Sequence, residues 1–141
     1  MNRRDMLLTL GASAVTLTGL AELQAAEHGA HPSSHADHCA KACADCMTEC
    51  SKHVHHCTAH LADGHKDYAR CLELCVGCAQ LCGACVVACY GPLAVTAAEA
   101  CAKACAECAA ECGKFASDEA MKVCAKTCRD CEKACREFIK A

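Results

Sequence analysis

Residues 39–50 read CAKACADCMTEC, and the phrase returns three times: CLELCVGCAQLC at 71–82, CAKACAECAAEC at 101–112 and CAKTCRDCEKAC at 124–135. In every copy the cysteines stand at offsets 0, 4, 7 and 11. The second copy continues to Cys85 and Cys89, at offsets 14 and 18; the first has His53 and Cys57 there. A helix turns about 100° per residue, so all these positions fall within an arc of roughly 80° on one face. On a strand the same offsets would point to both faces, which excludes strands. Ala, Lys and Glu fill most other positions and favour helix.

The boundaries agree with four helices, at about 36–60, 66–89, 96–113 and 118–139. Thr96 and Glu99 have the spacing of a capping box ahead of the third unit. Ser34 is placed to cap the first helix, and Ser117 or Asp118 the fourth. Asp63-Gly64, Gly91-Pro92 and Gly113 supply turns between units. Short links make neighbouring helices antiparallel. The expected fold is therefore all-α: an antiparallel up-down-up-down four-helix bundle with a cysteine-lined core, spanning 36–141.

Composition narrows the function. The chain has 141 residues, 19 of them cysteine, with no Trp, 2 Phe and 2 Tyr. Outside the first 25 residues, too few conventional apolar side chains remain for an ordinary core, so cysteine must fill much of the interior. Net charge is −3, with no basic block and no aromatic platform, which argues against nucleic acid. Gly (8) and Pro (2) are too scarce for a loop-rich disulfide knot. No phosphate-cradling loop, nucleophile elbow or paired-carboxylate motif is present, so no enzymatic role is expected.

Residues 1–25 open with Arg3-Arg4, continue as a short, mildly apolar stretch and end at small residues near Ala25. That order is the pattern of a signal peptide. Paired arginines before Met6-Leu7 suggest the twin-arginine route to the periplasm, with an ordinary secretory signal as the alternative. Once the leader is removed, no membrane association is expected. Residues 26–35 begin a flexible, His-rich segment, which is either a metal-gathering tail or a solvated linker.

Three chemistries use a core of thiols. Structural disulfides fit poorly, because the count is odd and cysteines three or four apart on one helix are badly oriented for bridging. Iron–sulfur binding fits poorly because no cysteine precedes a proline and every CxxC lies within a helix. Soft metal ions fit best. Cu(I) accepts two or three thiolates, so a pair on one helix can hold an ion and a facing helix can add a third sulfur. Zn²⁺ needs four tetrahedral ligands and hence sites built across helices. One Cu⁺ per thiolate also neutralises the core, whereas empty thiols protonate and pack as small hydrophobes. A bundle stable both empty and full suits a store better than a catalyst. A zinc or general soft-metal buffer is the alternative within metals, and a disulfide-bonded structural bundle or an electron-transfer protein the alternatives outside it.

At this point the chain resembles the bacterial copper storage proteins, four-helix bundles whose core cysteines bind many Cu(I) ions. The resemblance rests on the repeated C-x3-C-x2-C-x3-C and covers residues of roughly 36–139. The leader resembles that of the exported branch, whose members include tetramers, so the resemblance implies a homo-oligomer. No copper acceptor is named by the sequence.

The expected metal ligands are Cys39, Cys43, Cys46, Cys50, Cys57, Cys71, Cys75, Cys78, Cys82, Cys85, Cys89, Cys101, Cys105, Cys108, Cys112, Cys124, Cys128, Cys131 and Cys135. His53 and His60 lie on or near the same stripe, and with Met121 they gather at one bundle end. Family members carry His and Met ligands near an open end, which the resemblance extends to these three. His55 and His56 are expected to point away, and Met47 to serve packing. The second helix has an unusual outer face: Leu72, Val76, Val87 and Tyr90, with Gly83 among them, make an apolar strip suited to contact with another copy of the chain.

Overall fold

A computed structural model describes residues 34–141. Four helices follow one another: α1 (Ser34–Ala62), α2 (Tyr68–Ala88), α3 (Ala94–Cys112) and α4 (Glu119–Lys140). Each helix packs against two neighbours, in the ring α1–α2–α3–α4 and back to α1. The register is written in sulfur. Cys71 meets Cys112 and Cys82 meets Cys101, so α2 and α3 run antiparallel. Cys39 meets Cys135 and Cys50 meets Cys128, which sets α1 against α4 in the same way. Across the diagonal, Cys43 and Cys46 meet Cys101 and Cys105 in parallel order. This is the expected up-down-up-down bundle.

The helices begin and end for local reasons. The α1–α2 turn pivots on Gly64, whose φ of 92° lies in the left-handed region that suits glycine. At the α3–α4 turn, on the same bundle end, the Asp118 carboxylate accepts from the backbone N–H groups of Ala120 and Met121, capping α4. The expected capping box at Thr96 is not used. The α3 helix starts two residues earlier, at Ala94, after Leu93, and no side chain caps it. The Gly91-Pro92 turn already delivers the chain into helix, with the Ala94 N–H on the Gly91 carbonyl at 3.1 Å. Ser34 is not a cap preceding α1 but lies within it, so the helix includes the last two residues of the segment expected to be flexible. The rest of that segment, and the leader, lie outside the described residues.

Outer faces are charged and paired along the helices, as in Lys41–Asp45 and Lys126–Asp130, both at 2.6 Å. Such exposed pairs add a few tenths of a kcal/mol each, about 0.3–0.5. The interior is thiol: all 19 cysteines are free and buried. Alanines 98, 102, 109, 125 and 134 complete the core and let the helices approach closely. Met47 seals the α1–α2 seam, its Sδ lying 3.1 Å from where a Cβ on Gly83 would stand. Gly83 therefore faces α1 inside the bundle and is no part of the outer strip. By length and apolarity α2 could cross a membrane, with a mean hydropathy of 1.9. Its five fully or nearly fully enclosed cysteines at positions 71, 75, 78, 82 and 85 contribute to that value while facing the thiol core.

Candidate metal centre

Because the cysteine stripe of each helix faces the axis, the sulfurs form one continuous column. Contacts between Sγ atoms run from 3.2 Å (Cys71 to Cys112) to 4.0 Å (Cys75 to Cys124, Cys82 to Cys131). Some join adjacent turns of one helix, such as Cys46 with Cys50 and Cys101 with Cys105, both at 3.9 Å. Others join different helices, such as Cys78 with Cys105 at 3.6 Å. Sets of four sulfurs lie within 4.8 Å of one another: Cys39, Cys43, Cys85, Cys135; Cys43, Cys101, Cys131, Cys135; Cys46, Cys50, Cys78, Cys128; Cys46, Cys78, Cys82, Cys105; and Cys50, Cys108, Cys124, Cys128. Neighbouring sets share members. Among these five, Cys46 and Cys78 are common to one pair of sets, Cys43 and Cys135 to another, and Cys50 and Cys128 to a third. A thiolate shared in this way would be placed to bridge two soft cations.

The column cannot ionise as a whole while empty. Hydrogen bonds to Cys101 and Cys105 push the Cys82 thiol up, whereas bonds from Cys105 and Cys131 hold Cys101 down. One sulfur of each such group keeps its proton so that its neighbour can accept it. Soft cations entering the column take the place of those protons.

One end carries the non-thiol candidates. His53, 3% exposed, has Nδ1 at 2.8 Å from the Glu49 carbonyl and Nε2 at 2.6 Å from the Ala120 carbonyl. Carbonyls only accept, so each of these contacts is made where the ring nitrogen carries a proton, and the pair favours the protonated ring. A hydrogen bond to Cys124 leads in raising its pKa to about 10, against the opposing effect of burial, with the two carbonyls adding to it. Met121 is fully buried on α4 beside the same end. His60 sits further out: its ring stacks on Tyr68 at 4.2 Å, and its Nε2 is 3.9 Å from Asp118 Oδ2. The structure thus brings His53 and Met121 against the thiols and places His60 in a layer of rings above them.

That layer includes residues the sequence reading passed over. His56 was expected to point away, yet its Nε2 lies 2.7 Å from Asp118 Oδ2. Tyr68 donates to the same oxygen at 2.9 Å and packs on Phe115 at 4.3 Å between ring centroids. Helical angles describe where a Cα–Cβ bond starts, and at a bundle end a long side chain bends over the opening. A usable signal was present: Asp118 begins α4 at the level where α1 carries His53, His56 and His60 in consecutive turns. His55 is exposed, as expected, and Met47 packs, as expected.

A profile of the copper storage protein family matches residues 33–140. Among solved structures, the chain is similar to a cytosolic copper storage protein from Streptomyces lividans, studied during copper loading with five coppers. The two are 26% identical, the match covers 76% of this chain and 93% of that one, and the TM-score is 0.70. No curated protein matches the chain. The neighbour is cytosolic, which overturns the expectation of an exported, periplasmic protein. The twin-arginine reading of residues 1–25 lies outside the described residues.

Proposed function

The chain belongs to the copper storage protein family, and from that premise we propose a non-enzymatic Cu(I) store loaded along its whole thiol column. Copper is stored here by thiolates lining the four-helix core, with several ions per chain. The observation that carries the reading is the sharing of sulfurs between neighbouring four-cysteine sets. Bridging thiolates let each ion use two or three sulfurs while each sulfur serves two ions, so capacity approaches the thiol count, on the order of 15–20 Cu(I). The same column is self-neutralising, one Cu⁺ for each thiolate.

The nineteen cysteines are read as the principal ligands. His53 and Met121 are read as supplementary ligands at the ringed end, where imidazole and thioether both suit copper. Their position against Cys124 and the last thiols supports this. His60 is read as an outer ligand of the same end. For His53 to bind copper it must lose a proton and release one of its carbonyl partners.

The protein is further read as a homo-oligomer joined in part through α2. Its outer face exposes Val76 (38%), Val87 (82%) and Tyr90 (56%), whereas Leu72, expected in the same strip, is half-buried against the core. On the opposite flank of the helix, between α2 and α3, Leu74, Gly77, Leu81, Ala100 and Ala104 line a separate groove of about 340 Å³ together with Glu73, Lys103 and Glu107. An apolar face of this extent suits a helix of a second copy.

Four-sulfur sets also match the tetrahedral preference of zinc, which gives the competing reading. Metal analysis of protein purified without oxygen, together with a free-thiol count, separates them. Copper with few free thiols supports the store. Zinc at four or five ions supports the buffer. Metal-free protein with disulfides contradicts both.

A further inference from the structure

The carboxylate of Asp118 divides its two oxygens between two tasks. Oδ1 accepts from the backbone N–H groups of Ala120 and Met121, at 3.0 and 3.3 Å, and so caps α4. Oδ2 is turned towards α1. It lies 2.7 Å from His56 Nε2 and 3.9 Å from His60 Nε2, and it accepts from the Tyr68 hydroxyl at 2.9 Å. His56 and His60 stand four residues apart on the last turns of α1, so their imidazoles leave the helix from one face. Two imidazole nitrogens and one carboxylate oxygen thus converge from two different helices.

The rings are held in place. His60 stacks on Tyr68 with 4.2 Å between centroids and 9° between planes, and His56 meets His60 edge to face at 4.6 Å. The Tyr68 hydroxyl steadies the carboxylate, as the outer partner of a metal ligand does. The cluster is partly open to solvent: the side chains of His56 and His60 are 29% and 33% exposed, and that of Asp118 is 16% exposed. An ion reaches it without passing the thiols, and water can complete its coordination.

Donor chemistry selects the ion. Two imidazoles and a carboxylate offer nitrogen and oxygen but no sulfur, which suits borderline divalent ions and leaves Cu(I) to the thiolates. A tetrahedral ion about 2.1 Å from each ligand atom sets those atoms about 3.4 Å apart. The pairs at 2.7 and 3.9 Å reach that spacing by shifts of about 0.5–0.7 Å. We propose that His56, His60 and Asp118 form a second metal site, for a divalent ion of the zinc class, separate from the thiol column. On binding, the ion displaces the proton that His56 Nε2 shares with Asp118 and joins the end of α1 to the start of α4. The site stands apart from the storage reading, and it gives His60, the outer ligand of this end, a divalent partner.

The test counts zinc. Reduced chain, once saturated with Cu(I) and once metal-free, is equilibrated with Zn²⁺ without oxygen, and bound zinc is measured per chain. Wild type saturated with Cu(I) is expected to take one Zn²⁺. Metal-free wild type, whose thiols also take zinc, is expected to take one ion more than His60→Gln or Asp118→Asn. Asparagine still caps a helix, and circular dichroism checks that each variant is folded. His55→Gln, at an exposed position on the same helix, is expected to keep the ion. Tyr68→Phe is expected to weaken binding about tenfold, the size of an outer-partner effect. At the zinc absorption edge the Cu(I)-saturated chain is expected to show nitrogen and oxygen at about 2.0–2.1 Å and no sulfur at about 2.3 Å. Zinc counts equal in wild type and either ligand variant overturn the site, as does a sulfur shell. A chain that takes up no Cu(I) overturns the storage reading instead, and the one-ion difference in the metal-free chain then decides this site alone.

Discussion

The hydroxyl of Tyr68 donates to the carboxylate of Asp118 at 2.9 Å, joining the first turn of α2 to the N-cap of α4. The same carboxylate accepts from the backbone of Ala120 and Met121 and lies 2.7 Å from His56 Nε2. One side chain therefore fastens three helices at the ringed end of the column.

Asp118 should govern the acid limit of the metal-free bundle. Burial alone would raise its pKa, but hydrogen bonds from His56, Tyr68 and Met121 outweigh that and hold it at about 2, below the ordinary 3.8. A depressed carboxylate contributes stability that is present above pH 3.8 and is lost as pH falls through about 2. Asp118→Ala should lower unfolding stability at neutral pH by about 1–3 kcal/mol, through the lost cap and the orphaned tyrosine. It should also flatten the stability curve between pH 4 and pH 2, estimated from the shifted carboxylate, to about the slope left by the other acids. Urea unfolding followed by circular dichroism measures both.

The bundle should fold without metal. Zinc fingers unfold when empty because their cores are too small. Here protonated thiols and alanines already pack as small apolar groups along four helices. Circular dichroism of the reduced, metal-free chain should be dominated by helix, and copper should change it little. A coil spectrum that turns helical only with copper would contradict this.

Oligomer formation should depend on α2. Replacing Val76 and Val87 by Glu sets charge on its exposed face without touching a thiol. Sedimentation of the double variant should shift towards monomer, with copper capacity unchanged. A wild-type chain that sediments as a monomer at micromolar concentration removes the interface.

His53 should contribute at one edge of the array only. His53→Gln should lower copper capacity by about one ion, because imidazole supplies one ligand where sulfur dominates. The charge-transfer absorption of the copper–thiolate core should persist. A loss of most of the capacity would mean that His53 controls loading rather than holding an ion.

The bundle was legible because cysteine served as both core residue and candidate ligand. Offsets of 0, 4, 7 and 11 select one helix face and one chemistry together. Where the two roles separate, the reading fails. His56 and Tyr68 lie outside the cysteine repeat, and their importance comes from meeting Asp118 across a bundle end, a tertiary fact. Thr96 has the right neighbours for a cap, but the turn at Gly91-Pro92 starts the helix before it. Gly83 lies on the apolar side of α2 by angle, yet the long thioether of Met47 reaches over to occupy it. Cellular location was misread from a leader pattern that lies outside the described residues, and the cytosolic neighbour corrects it.

The most direct test of the store is an anaerobic titration of the reduced, metal-free chain with Cu(I) against a competing chelator. Saturation at about 15–20 ions per chain, with sulfur as the dominant ligand by X-ray absorption, is the expected result. Saturation at four or five ions, each in a tetrahedral four-sulfur site, would contradict it.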